Sequence, residues 1–224
     1  MKIPDLHPWK VTPAEAFRIQ DELRNKLILQ PPKKSIRTLV AGDVAYDPGS
    51  ETTFAAVLLF RYPEMELLEK ELAKGRTPFP YIPTLLTFRE APLLLKAISR
   101  LRVKPDLFLV DGQGIAHPRS MGIAAHIGII LNLPTIGCAK SRLIGTFDEP
   151  GAEKGSVAPL FNQGERIGMV VRTRTGVKPV FVSPGHRMDM DTSVRVVLSL
   201  CRGYRLPEPQ RQAHIFVNLL KRAS

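Results

Sequence analysis

Phe54 to Phe60 and Leu107 to Val110 are wholly apolar runs with no polar alternation. Runs this short, bounded by turn residues, read as strands covered on both faces. Such strands need an apolar layer on each side. The chain is therefore expected to form a sheet with helices packed above and below it. Its 224 residues suit a single domain spanning 1–224, and a hydrophobic fraction of 44% supplies the core.

The other elements follow from local signals. Thr12-Pro13-Ala14-Glu15 gives a cap, a first-turn proline and an acid at the positive end of a helix. That helix is expected to run to Leu29, ahead of Pro31-Pro32. Leu39 to Tyr46 reads as a strand and Asp47 to Ser50 as a turn. Met65 to Ala73 fits either a helix or a strand by periodicity, and the short turn at Arg61 to Pro63 favours a third strand. Pro78 to Pro83 is too rich in proline for regular structure. Helices are expected over Thr84 to Leu101, Ile115 to Leu131, Asp191 to Cys201 and Pro207 to Arg222. Further strands are expected over Thr135 to Ala139, Ile167 to Thr173 and Val180 to Ser183. The order describes a mixed α/β sheet with antiparallel strands leading and helices on both faces.

Lys and Arg number 32 against 21 Asp and Glu, a net charge of +11, which points to a polyanionic partner such as nucleic acid. Cys138 and Cys201 lie in apolar runs and read as buried free thiols, and no Cys and His spacing fits zinc. Met1 to Lys10 has no apolar signal-peptide core, and no apolar stretch is long enough to span a bilayer. The expectation is a soluble cytoplasmic protein without a membrane partner.

The acids carry the chemistry. Asp43 lies in or at the end of one apolar strand and Asp111 ends another. An ionised carboxylate in such a place needs a positive partner. Two acids on neighbouring strands repel each other, and a divalent cation relieves that repulsion. Oxygen-only ligands select magnesium or manganese. Glu90 lies among Leu86, Leu93, Leu94 and Ala97 at helical spacing; pattern alone leaves it either inward-facing or a solvated helix glutamate. Lys140, after the strand ending at Ala139, is either a surface lysine or a phosphate partner. His214, in the last helix, is either structural or a site residue. Basic charge with a carboxylate metal site suggests phosphodiester hydrolysis.

Several segments together resemble the endonuclease V family. They are Val40 to Val44, Pro78 to Glu90, Val110 to His117, Gly137 to Ser141, Ser183 to His186 and Pro207 to His214. The resemblance covers nearly the whole chain. It implies a ribonuclease-H-like fold and a DNA repair endonuclease acting on deaminated bases, chiefly deoxyinosine. It implies hydrolysis of the second phosphodiester 3′ to the lesion, leaving 3′-hydroxyl and 5′-phosphate ends. The family's metal carboxylates fall on Asp43, Glu90 and Asp111, with Mg²⁺ as cofactor and Mn²⁺ as a substitute. Its catalytic lysine falls on Lys140, its supporting histidine on His214, and its strand-separating wedge on Pro80, Tyr81, Ile82 and Pro83. The expected base pocket comprises Leu86, Gly112, Gly114, Gly122, Ile123, Gly137 and Leu143, with backbone groups of Gly112, Gly114 and Gly137 reading hypoxanthine. Glu149 to Asn162 looks divergent and carries no expectation. Two other readings stand beside this one: an endonuclease for inosine in RNA, and a nucleic-acid-binding module without chemistry. The protein is expected to act as a monomer.

Overall fold

The computed structural model describes residues 1–47 and 52–223. Among them the strands are β1 (Thr38–Tyr46), β2 (Thr52–Arg61), β3 (Leu67–Arg76), β4 (Leu107–Val110), β5 (Thr135–Ala139), β6 (Val157–Asn162), β7 (Glu165–Val171) and β8 (Val180–Pro184). The helices are α1 (Pro13–Arg24), α2 (Leu86–Ser99), α3 (Ile123–Leu131), α4 (Met190–Ser199) and α5 (Glu208–Arg222). The strands form one sheet in the order β3-β2-β1-β4-β5-β8-β7-β6. β1, β2 and β3 pair antiparallel, while β4 runs parallel to β1 and β5 parallel to β4. β8, β7 and β6 then extend the sheet antiparallel beyond β5. The turn expected over Asp47 to Ser50 lies outside the described residues from Pro48 onward.

The apolar runs behave as period-two strands must. Ala55, Val57 and Leu59 of β2 enter a core shared with Leu94 of α2 and Ile127 of α3. Phe54, Ala56, Leu58 and Phe60 point the other way, into a core with Ala213 and Val217 of α5. β4 divides likewise: Phe108 and Val110 face α2 and α3, while Leu107 and Leu109 meet Val196 and Val197 of α4. The helices cover both faces, as expected for a ribonuclease-H-like mixed sheet.

Three elements differ from the sequence reading. α1 opens as expected, with the Thr12 hydroxyl accepting from Glu15 N and the Glu15 carboxylate accepting from Thr12 N. It ends at Arg24, short of Leu29, because Ile28 turns away to bond distant backbone. Its N–H donates to His186 Nδ1 at 3.3 Å, and its carbonyl accepts from Arg187 N at 2.6 Å. The segment 115–122 is not helical. Ile115 N donates to the Pro184 carbonyl at 2.9 Å and Gly122 N to the Gly114 carbonyl at 3.0 Å, so its backbone is tied to β8 and to itself. Finally, β6 carried no expectation. It is an edge strand alternating exposed and buried residues, where Pro159 is tolerated.

An N-terminal strap packs on α2 and α3. His7 and His126 face each other, Nε2 to Nε2, at 2.7 Å. The Pro8 carbonyl can only accept, so His7 Nδ1 carries its proton at 2.9 Å, and His126 Nε2–H donates to His7. Burial pushes His126 down to about 3 and His117 down to about 4. The unfolded chain therefore takes up protons below about 6.5 that the folded chain refuses. Each fully buried ring is expected to take about 1.4 kcal/mol of stability away per pH unit as pH drops from 6.5 toward 4. Urea midpoints measured across that range should show the fall, with a shallower slope in His126→Leu. An equal slope in the variant would contradict this account.

Candidate active site

The β1–β4 register sets the site. Gly42 stands opposite Val110, and the next residues on the two parallel strands are Asp43 and Asp111. Lys140 follows the end of β5, the next strand along. Three neighbouring strands thus deliver two acids and an ammonium to one end of the sheet, where ligands of α/β folds gather. Asp43 shares its strand face with Leu39 and Ala41, whose layer includes α5. His214 of α5 meets it there, Nδ1 to Asp43 Oδ2 at 2.7 Å. Val44 N donates to Asp43 Oδ1 at 2.8 Å. Lys140 Nζ donates to Asp111 Oδ2 at 2.7 Å. Glu90 comes from α2, and its Oε1 accepts from the Tyr46 hydroxyl at 3.0 Å.

The charges respond to this crowding. Burial raises the Asp43 carboxyl, and Asp111 raises it further against the opposing hydrogen bond from His214. Burial pushes Glu90 up to about 8, with Asp43 and Asp111 adding to it and the Tyr46 hydroxyl opposing. Burial pulls the Lys140 ammonium down, but Asp111 beside it more than reverses this, so Lys140 stays a cation. Among the described residues no three acid, imidazole or thiol groups close into a ready metal cage; Lys140 and His214 instead take up Asp111 and Asp43. The donor set nonetheless fits a divalent cation. It is all oxygen, and the repulsion that raises Asp43 and Glu90 is what such an ion relieves.

A cleft of about 350 Å³ opens beside these groups, lined by Asp43, Glu90, Asp111 and Lys140 on one side. Tyr81 and Pro83 also line it. Tyr81 is 69% exposed, which excludes a core role, while Phe79 and Leu85 are buried and anchor its loop. Pro80 is exposed and Ile82 half-buried against the Phe79 cluster. Arg89 joins loop and site: its guanidinium lies 4.4 Å over the Tyr46 ring and donates to the Phe79 carbonyl at 2.7 Å.

Leu86, Gly112, Gly122, Ile123 and Leu143 line the cleft, but Gly114 and Gly137 stand behind its wall. Gly114 N donates to Ser183 Oγ at 2.8 Å and its carbonyl accepts from Gly122 N, so its backbone is already engaged. Gly137 pairs with Val110 and Ser183 inside the sheet. These two glycines permit close backbone packing and do not face a base. The motif pattern could not distinguish a glycine facing the cleft from one beneath it. Sequence reasoning also passed over Tyr46, Gln113 and His117. Gln113 and His117 line the cleft and lie in a segment already singled out, but no spacing rule marks them. His117 Nε2 donates to the Thr84 carbonyl at 2.8 Å, fixing the loop beside Tyr81.

A carboxylate-lined cleft at the end of the central parallel strands, on a ribonuclease-H-like sheet, defines a metal-dependent nuclease. The endonuclease V family model matches residues 21–215. Endonuclease V of Gloeobacter violaceus is 46% identical over 221 residues, covering 97% of this chain and 90% of that protein. The structure of the Bacillus subtilis enzyme superposes with a TM-score of 0.94 at 34% identity, covering 100% of this chain and 98% of the other. Endonuclease V of Ciona intestinalis, as a D234N variant in complex with a 23mer DNA containing an inosine followed by a ribo-adenosine, superposes at 0.84 with 28% identity, covering 95% and 99%. The chain belongs to the endonuclease V family and is a DNA repair endonuclease.

A Cβ at Gly114 would lie 2.0 Å from the Pro184 carbonyl oxygen, and one at Gly137 2.4 Å from Gly114 N. Gly114→Ala and Gly137→Ala are expected to lose roughly 3 kcal/mol or more of stability, as backbone clashes do. Thermal melts check this: an unchanged melting temperature in either variant would put its glycine outside the packed wall.

Proposed function

We propose that this chain binds DNA containing a deaminated base, deoxyinosine foremost, and hydrolyses the second phosphodiester 3′ to it, leaving 3′-hydroxyl and 5′-phosphate ends. The observation that carries the reading is the convergence of Asp43, Glu90, Asp111, Lys140 and His214, from five separate elements, beside a cleft that also meets the exposed Tyr81. The inosine-containing DNA bound by the Ciona relative supports the substrate class. The protein acts as one domain, 1–224, and as a monomer.

Asp43, Glu90 and Asp111 hold Mg²⁺, or Mn²⁺ in its place. Bound there, the ion supplies Lewis acidity toward a phosphate oxygen and lowers the pKa of water. The chain's own groups do the rest. Lys140 is held protonated by Asp111, so it serves as a fixed positive charge toward the phosphate and not as a base. His214 holds the Asp43 carboxylate in one orientation. Tyr81, standing free on a proline-stiffened loop, enters the base stack as a wedge with little ordering to lose. The deaminated base enters the cleft among Leu86, Gly112, Gly122, Ile123 and Leu143. Hypoxanthine presents an acceptor at O6 and a donor at N1, the reverse of adenine. Fixed backbone partners would leave adenine's groups unpaired at roughly 1–3 kcal/mol each.

The decisive test is incubation with matched DNA and RNA strands carrying one inosine, with Mg²⁺, with Mn²⁺ and with excess chelator. Nicking of the DNA directly after the inosine's 3′ neighbour, lost in chelator, is the expected result. Preferential cleavage of the RNA strand would transfer the activity to inosine in RNA. Binding with no cleavage of either would reduce the protein to a binding module. Asp111→Asn is expected to abolish nicking while keeping lesion affinity, because removing an acid removes repulsion from phosphate; gel-shift titration beside the nicking assay separates the two. Tyr81→Ala should weaken affinity for lesion DNA with an unchanged melting temperature. The opposite pattern would return Tyr81 to a packing role.

A further inference from the structure

Lys140 reaches Asp111 from the first peptide after β5, so the position of its ammonium depends on that peptide. Two consecutive carbonyls there are held by distant side chains. Arg205, between α4 and α5, donates through Nη2 to the Lys140 carbonyl, and through the same nitrogen to the Pro179 carbonyl at 2.8 Å. Gln113 Nε2 donates to the Ser141 carbonyl at 3.0 Å. Arg205 is itself tied down: its carbonyl accepts from the Thr173 hydroxyl at 2.5 Å. Five residues on, Gln210 donates to the Cys138 carbonyl at 2.9 Å. The strand end carrying Lys140 is thus clamped by the segment that leads into α5.

Arg205 is half-buried, and among the described residues no carboxylate pairs with it. A half-buried guanidinium must find partners some other way, and here two backbone carbonyls take its Nη2, while its Nε is buried without a hydrogen-bond partner among the described residues. An arginine placed only for solubility would not be spent on the carbonyl of a site lysine. A loop staple with no bearing on chemistry would make the same bonds, so the two roles have to be separated by coupling.

We propose that Arg205 is a positioning residue for the nuclease reaction, acting through Lys140 by fixing the peptide from which the ammonium reaches Asp111 and the scissile phosphate. This rests on the role given to Lys140 above. A misplacement of about 1 Å can lower a rate about a hundredfold.

The test is a double-mutant cycle in single-turnover cleavage of inosine-containing DNA, using wild type, Arg205→Ala, Lys140→Ala and the double variant. Arg205→Ala is expected to lower the rate at saturating enzyme by roughly 10- to 100-fold. Its affinity for the lesion strand should stay within about threefold of wild type, since no phosphate contact is removed. In the Lys140→Ala background the same change should cost less than about twofold, because the residue it serves is gone. Arg205→Lys keeps a donor for one carbonyl and should recover part of the rate. It also stands in for Arg205→Ala in the cycle if that variant fails to fold. Equal losses in both backgrounds, or an undiminished rate without Arg205, would overturn the proposal. A wild-type rate in Lys140→Ala would instead strike at the role of Lys140, and a loss on adding Arg205→Ala to it would then overturn the coupling as well.

Discussion

The parallel pairing of β1 with β4 forces two carboxylates to be neighbours. Once Gly42 lies opposite Val110, no side-chain rotation can take Asp43 and Asp111 far apart. Like charges held at the rim of an apolar sheet repel each other and have to be answered locally. Lys140 answers Asp111 and His214 answers Asp43. Each comes from a different layer, so the repulsion draws the sheet, α2 and α5 to one point. The fold keeps this arrangement because the strands below are gripped on both faces by aliphatic side chains, and a one-residue slip of β1 would turn Asp43 into the opposite core.

α2 extends the same logic sideways. Glu90 is among the acids, Arg89 precedes it, and the Arg89 guanidinium bonds the loop that carries Tyr81. The helix that carries Glu90 therefore also ties down the loop that bears Tyr81. His117, neutral because burial lowers it to about 4, braces that loop from the other side through the Thr84 carbonyl. The cleft keeps its shape through fixed hydrogen bonds, which suits discrimination by the polarity of a base edge.

How far the sequence could be read depended on whether a signal was local. The strand runs at Phe54 and Leu107 were legible because burial on both faces leaves a composition found in few other settings. Asp43 and Asp111 stood out because one interrupts the apolar strand from Leu39 and the other ends the run from Leu107. Glu90 and His214 were not legible from pattern; helix positions face several ways, and only the resemblance selected them. β6 was hidden because its exposed face and Pro159 blur the alternation. The false helix at 115–122 arose because a segment can satisfy its backbone across space, here through Pro184. Gly114 and Gly137 were assigned to the cleft for the same reason. Whether a glycine faces a ligand or another backbone is a tertiary fact.

The last helix has a consequence for when the protein can act. A chain emerging from its N-terminus holds Asp43, Glu90 and Asp111 long before α5 exists. Until α5 docks, Asp43 has no imidazole beside it, and until Arg205 is in place the peptide at Lys140 has no clamp. A strand-cutting centre is hazardous when loosely assembled, since specificity depends on exact placement more than on the presence of the acids. Here the longest loop in the chain, from β1 to α5, has to close before the two ends of the site meet. Partly made molecules therefore carry the acids without the His214 and Arg205 contacts that complete the site in the folded chain.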